Sequence, residues 1–153
     1  MENVIFRIAD IDDLPDIVRM LADDFLGEQR EQYEVPLAES YVRAFEEIDV
    51  DENNYLIVAE ADGEVVGTLQ LTLTPSISFR GGKRATVESV RVDSKFRGAR
   101  IGRKMMLWTI ELAKKKGCIS MQLTTNAERD DAQRFYQQLG FKASHVGMKL
   151  RLN

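Results

Sequence analysis

The chain predicts a mixed α/β domain whose sheet is mostly antiparallel in its first half and extended by a crossover helix in its second. Three observations carry that expectation. Alternating apolar stretches across residues 53–73 and onward to about Val92 are broken by Asp62-Gly63 and Gly81-Gly82, the signal of antiparallel hairpins. A long amphipathic stretch from Ile101 to Lys116 then separates a fourth strand from a fifth, as a strand–helix–strand crossover requires. With 153 residues, 44% hydrophobic and 30% charged, the chain suits one domain, 1–153, with a core that needs no disulfide or metal.

Each element follows from local pattern. Residues 4–8, "VIFRI", predict the first strand. "DDLPDIVRMLADDFL" places Leu14, Ile17, Val18, Leu21 and Phe25 on one helical face, with Asp12 as N-cap and Pro15 in the first turn. "LAESYVRAFEEI", residues 37–48, predicts a second helix, reached through the acidic segment "GEQREQYEVP". Two strands flank Asp62-Gly63, and a fourth runs from the Gly81-Gly82 turn to about Val92. The helix from Ile101 aligns Ile101, Met105, Trp108 and Leu112, with Met106, Ile110 and Ala113 beside them. Lysines 114–116 complement its dipole, and Gly117 suits the residue just past its end. "ISMQLT", residues 119–124, reads as a fifth strand, and a short helix runs from about Asp131 to Gly140. "KASHVGMKLRL" then predicts one or two closing strands. The expected sheet has about six to seven strands, flanked by about four helices.

Composition excludes several kinds of chemistry. A net charge of −4 argues against nucleic acid as a partner, since phosphate backbones demand a basic field. No apolar run approaches the roughly 20 residues of a membrane span, so no membrane partner is expected. "MENVIFRIADIDD" lacks a basic segment followed by an apolar one, which predicts no secretory signal. Cys118 is the single cysteine, so no internal disulfide forms, and a reducing, cytoplasmic setting is expected. His145 is the single histidine, which leaves no His-rich or Cys-rich metal site and disfavours a Ser-His-Asp hydrolase.

The chemistry concentrates in "VRVDSKFRGARIG", residues 90–102, where a strand passes into a helix. A helix N-terminus offers unpaired N–H groups and a positive dipole end. Glycines let a bulky anion approach that backbone, and Arg97, Arg100 and Arg103 add charge, so the stretch suits phosphate. It resembles the acyl-CoA-binding motif of the GCN5-related N-acetyltransferase (GNAT) superfamily, Gln/Arg-x-x-Gly-x-Gly/Ala at the end of the fourth strand. The matching residues are Arg97-Gly98-Ala99-Arg100-Ile101-Gly102, with Arg100 where the pattern prefers glycine. A second stretch, "NAERDDAQRFYQQLGF", residues 126–141, is similar to the family's C-terminal signature through Ala132, Phe135, Tyr136, Gly140 and Phe141. Arg129 replaces the asparagine usual three before the alanine, and Asn126 lies three earlier. This spelling is most similar to the aminoalkylphosphonate N-acetyltransferase branch.

The resemblance implies a GNAT fold in which strands four and five splay apart around acetyl-CoA, the co-substrate, with no metal. It implies backbone contacts to the pantetheine from Val90, Arg91 and Val92, and a pyrophosphate grip from residues 97–103. Asn126 and Arg129 join this expected acetyl-CoA set. Tyr136 is the implied general acid for the leaving thiolate, the alternative for it being a core tyrosine beside Phe135. Glu88 is the implied general base, with His145 or water in its place as alternatives. The implied reaction moves an acetyl group to a primary amine of a small molecule by direct attack in a ternary complex. The alternatives are a protein or peptide acetyltransferase and a non-catalytic acyl-CoA-binding module. Asp23, Asp24, Glu28, Glu31 and Glu34 between the first two helices suggest an acidic rim favouring a cationic amine, or else an ordinary charged loop. A phosphonate-bearing acceptor would want arginines instead, with Arg43, Arg80 and Arg84 as candidates. A homodimer is expected, with Ile77 and Phe79 beside Gly81-Gly82 as contacts.

Overall fold

Four strands pair antiparallel in chain order before the first crossover. They are β1 (Val4–Ile8), β2 (Asn54–Ala61), β3 (Glu64–Thr74) and β4 (Lys83–Val92), and β5 (Cys118–Leu123) joins β4 in parallel. Between β1 and β2 lie α1 (Leu14–Ala22), the single turn α2 (Gly27–Arg30) and α3 (Glu39–Val50). The turn α4 (Ser78–Gly81) links β3 to β4, α5 (Ile101–Lys115) crosses from β4 to β5, and α6 (Ala132–Gln138) follows β5. This computed structural model describes residues 3–129 and 131–153. Met1 and Glu2, the start of the stretch read for a secretory signal, and Asp130, just before the last helix, lie outside the described residues.

Strand alternation sorts the core into two sides. Ile57, Ala59, Leu69, Leu71 and Leu73 pack beneath Ile101, Met105, Met106 and Ala113 of α5. Val58 and Val65 face the other way, against Leu14, Ile17 and Val18 of α1 and Phe45 of α3. The central strands are therefore covered on both faces, and helices form the outer layers. The β2–β3 turn places Asp62 and Gly63 both at positive φ, 52° and 82°, as a tight hairpin turn requires.

Helix α1 begins differently from expectation. The capping residue is Asp10, not Asp12. Its carboxylate accepts the Asp12 N–H at 2.9 Å, and its own N–H donates to Asp13 at 2.8 Å, which starts a 3-10 turn ahead of the helix. Asp13 is buried and binds Arg7 of β1 through two hydrogen bonds, 2.7 and 2.9 Å, while Arg7 also donates to Glu60 at 2.8 Å. The Arg7 hydrogen bonds, opposed by burial and helped by the Asp10 N–H, hold the Asp13 carboxyl below the usual carboxylate range. Its contribution to stability is thus present above pH ~3.9 and lost as pH falls through the lowered native value. Asp13→Asn should destabilise the fold by about 1–3 kcal/mol at neutral pH and by less in acid. Denaturant unfolding at both pH values checks this.

The sheet holds five strands among the described residues, not six to seven. The closing strands expected from Lys142 onward do not form, and residues 142–153 carry no regular secondary structure. The alternation that suggested a strand is real, but Val146, Met148, Leu150 and Leu152 stand 85–92% exposed. A strand needs an edge to pair with, and within one chain this segment takes none.

Candidate active site

β4 leaves β5 partway along its length. The parallel register ends at Val87↔Leu123, while β4 continues along β3 to Val92. Ser89 sits at a left-handed φ of 57°, and the β3–β4 register shifts between Thr68 and Gln70, so a bulge bends the strand here. The outer edge of β4 from Ser89 to Val92 consequently has no ladder partner among the described residues. Val90 and Val92 pack toward the α5 side of the core. Arg91 faces the other way and reaches Asp24, just past α1. Glu88, opposite Gln70 and exposed, precedes the bulge.

The phosphate-like stretch follows directly. Asp93 is buried, accepts the Lys95 N–H at 3.0 Å and pairs with Arg19 of α1 at 2.9 Å, which pins the end of β4. Gly98 and Arg100 both take positive φ, 90° and 60°, on the way into α5. Arg100 therefore occupies the conformation for which the motif's glycine is suited. The Lys104 N–H donates to the Arg100 carbonyl, the start of the helical ladder, so the N–H groups of Ile101, Gly102 and Arg103 have no helical acceptor. Arg97, Arg100 and Arg103 are exposed, and none pairs with a carboxylate among the described residues. A Cβ added at Gly102 would touch Val92 at 3.4 Å and Phe135 at 3.6 Å, so this glycine lets α6 close against the start of α5. Free N–H groups, unpaired arginines and open space at Gly98 fit a pyrophosphate, and the free β4 edge fits an amide chain.

Tyr136 sits between these features. Its ring meets Phe135 edge-on at 5.0 Å and Phe141 at 5.8 Å, on the rim of the core. Burial pushes its phenol above the usual tyrosine range, against the pull of the Arg91 and Arg129 charges. Arg129 and Arg91 both reach the same Asp24 oxygen, Arg129 in close contact and the Arg91 Nε at 3.6 Å. Burial opposes ionisation of Asp24, but the Gly27 N–H and the two guanidiniums hold its carboxyl below the usual range. Burial, then the Arg129 charge, pushes the Arg91 guanidinium below its ordinary range, with Asp24 opposing.

Of the residues singled out from sequence, the fold brings Arg91, Arg129 and Tyr136 together, and Arg97 to Arg103 form the neighbouring turn. Asn126 is used locally, its side chain accepting the Glu128 N–H at 2.9 Å. Arg129 turns toward Asp24. His145 lies in the exposed C-terminal segment with Nδ1 2.7 Å from the Ser144 hydroxyl. Cys118 is half-buried, and burial pushes its thiol up, away from nucleophile character. Asp24 is the residue that sequence reasoning misplaced. It belongs not to an open acidic rim but to an ion pair, and its other oxygen accepts the Gly27 N–H at 2.5 Å. The local signal was Asp24-x-x-Gly27, since a Cβ at Gly27 would collide with the Leu21 carbonyl.

A crystal structure described as a transcriptional regulator from Bacillus halodurans C-125 superposes with a TM-score of 0.96, at 54% identity over 98% of this chain and 100% of that one. The aminoalkylphosphonate N-acetyltransferase of Salmonella typhimurium is 32% identical over 96 residues, 63% of this chain and 62% of that protein. The glucosamine 6-phosphate N-acetyltransferase of Trypanosoma brucei brucei is 31% identical over 90 residues, 59% of each. The chain thus spans about six-tenths of the length of these two curated relatives. The model of the acetyltransferase (GNAT) family matches residues 19–141, from α1 through the splayed strands to Phe141. The resemblance carried by the two motifs is borne out: the chain has the GNAT fold and belongs to the acetyltransferase (GNAT) family.

Proposed function

We propose that the protein transfers the acetyl group of acetyl-CoA to a primary amine of a small molecule, by direct attack in a ternary complex. The observation that carries this reading is the free β4 edge, with unpaired α5 N–H groups at one end and the half-buried Tyr136 phenol beside it. The α5 N-terminus with Arg97, Arg100 and Arg103 takes the pyrophosphate, and Val90 to Val92 take the pantetheine amides through their backbone. An N–H of that edge polarises the thioester carbonyl as negative charge builds on its oxygen. The amine arrives as ammonium and gives a proton to Glu88, which lies one bulge before Arg91, or to water beside it. Nitrogen then bonds to the carbonyl carbon and loses its second proton to solvent as the carbon–sulfur bond breaks. Tyr136 protonates the thiolate and regains its own proton from solvent. The relatives named for aminoalkylphosphonate and glucosamine 6-phosphate acetylation support a small-molecule acceptor over a peptide. A net charge of −4 disfavours nucleic acid, and the lone cysteine suits the cytoplasm. Initial rates measured against both substrates should give intersecting double-reciprocal lines. Parallel lines would mean an acetyl-enzyme and contradict direct attack.

The same chain is proposed to work as a homodimer. Two apolar surfaces lie open at the β5 edge of the sheet. Ile77 and Phe79, 95% and 74% exposed, stand on the turn whose Gly82 abuts the half-exposed Ile119 of β5. The C-terminal segment passes Thr124 at Gly147 and presents Val146, Met148, Leu150 and Leu152 to solvent. In a two-fold pair, each C-terminal segment lies along the free β5 edge of the other copy and covers these side chains. Sedimentation should show a dimer at micromolar concentration, and Met148→Asp with Leu150→Asp should give a monomer with unchanged circular dichroism. A wild-type monomer under those conditions would contradict the pairing.

A further inference from the structure

We infer that the acceptor amine carries an anionic group, a phosphate, phosphonate or carboxylate, and that the guanidiniums of Arg91 and Arg129 beside Tyr136 hold it. This rests on the acetyl-transfer reading above and names its second substrate by chemistry.

The observation is an unbalanced charge cluster withdrawn from water. The side chains of Arg91, Arg129 and Asp24 are 15%, 22% and 13% exposed. Among the described residues two guanidiniums therefore share one carboxylate, and a positive charge is left over. A withdrawn charge without a partner is costly, so an uncompensated guanidinium here needs a reason. The Arg91 Nε is buried and makes no hydrogen bond among the described residues, lying just too far from Asp24 at 3.6 Å. One of its Nη groups donates to the Val90 carbonyl at 2.8 Å, which fixes the fork at the start of the free β4 edge. A guanidinium carries five donors in a planar fork, suited to two oxygens of one anion. Arg30 of α2, itself paired with Glu31 at 3.2 Å, acts with burial and Arg129 to push the Arg91 guanidinium down.

Position separates this cluster from the phosphate grip. Arg91 points to the side of the sheet where α1 and α2 lie, as its contact with Asp24 shows. The unpaired N–H groups that suit the pyrophosphate lie beyond Val92 and Asp93, at the start of α5, with arginines of their own. Acetyl-CoA phosphates therefore have their own partners, and Arg91 and Arg129 remain for the other substrate. Arg91 is fixed on the Val90 carbonyl of the free β4 edge, and Val90 and Tyr136 pack on the same core cluster, which puts the anion site on the side of the proposed reacting centre. An amine held by its anionic end there presents nitrogen to the thioester at a distance set by its chain length. Arg43, Arg80 and Arg84, the arginines picked out by sequence, have no part in the cluster.

The test uses short primary amines: 2-aminoethylphosphonate and β-alanine, with the acid on the same two-carbon spacer, 2-aminoethyl phosphate, one atom longer, and propylamine, which lacks an anionic group. Free-thiol release should favour an anionic amine over propylamine by about 30-fold or more in kcat/KM. The three anionic arms rank phosphate, phosphonate and carboxylate. Arg129→Gln should collapse that preference toward unity, and Arg91→Gln should do the same. Arg129 is the more exposed of the two and serves if the Arg91 variant fails to fold. Calorimetry with the best anionic amine gives a readout apart from turnover, and its binding should weaken about 30-fold in Arg129→Gln. Binding without turnover would support the anion site and overturn the acetyl-transfer reading. Equal turnover of propylamine and the anionic amines would overturn the anion site and leave acetyl transfer standing. Neither binding nor turnover of any amine would overturn both.

Discussion

Replacing Tyr136 by phenylalanine should lower kcat by about 100-fold or more while the protein stays folded. The ring keeps its edge-on contacts with Phe135 and Phe141 at 5.0 and 5.8 Å, so the apolar packing is conserved and stability changes little. What disappears is one hydroxyl. Burial raises the affinity of that phenol for its proton, so it remains neutral and loaded near pH 7 despite the neighbouring arginines. A departing thiolate with a pKa near ~8.5 is a base that a nearby phenol can protonate. The KM for acetyl-CoA should move less than kcat, because the proton is needed mainly in the transition state. If Tyr136 only packs the core, kcat in the variant stays within a few-fold of wild type, and the proton comes from water.

Arg100→Glu should weaken acetyl-CoA binding by about 2 kcal/mol, roughly 30-fold, without weakening the fold. Arg100 is exposed, has no carboxylate partner among the described residues and caps α5 from a left-handed conformation. Glutamate enters that conformation at a similar backbone cost, and its charge suits a helix N-terminus. Toward a pyrophosphate, however, the change replaces attraction with repulsion a few ångströms from unpaired N–H groups. Calorimetry should show the loss, and it should shrink as salt is added, since the site is open to solvent. Unchanged affinity would move the pyrophosphate away from this turn. Arg100→Gly is the companion variant, which relieves the positive φ of 60° and removes the guanidinium without adding a negative charge.

Local chemistry wrote much of this fold into the sequence. Asp62-Gly63 specifies a hairpin because both residues tolerate positive φ, and both adopt it. The α5 stripe was legible from spacing, since Ile101, Met105, Met106 and Ala113 recur at helical period and are buried. The glycines past α5 and α6 take φ of 82° and 100°, as helix-ending glycines do. Long-range choices were not legible. Asp24 looked like one acid in an acidic loop, and its partner Arg129 lies 105 residues away. No local pattern announces such a pair. The C-terminal alternation was also visible, but alternation states only that one side of a strand is apolar. It names no edge for that strand to pair with, and among the described residues the segment pairs with none.

The most direct test is free-thiol release from acetyl-CoA with and without a panel of primary amines. If the splayed β4 edge and the α5 N-terminus form an acetyl-transfer site, thiol appears with at least one amine, in step with the acetylated product and well above the rate without amine. If the protein binds acetyl-CoA tightly yet releases no thiol above background with any amine, it is a binding module on an acetyltransferase fold, and the catalytic roles given to Tyr136 and Glu88 are wrong.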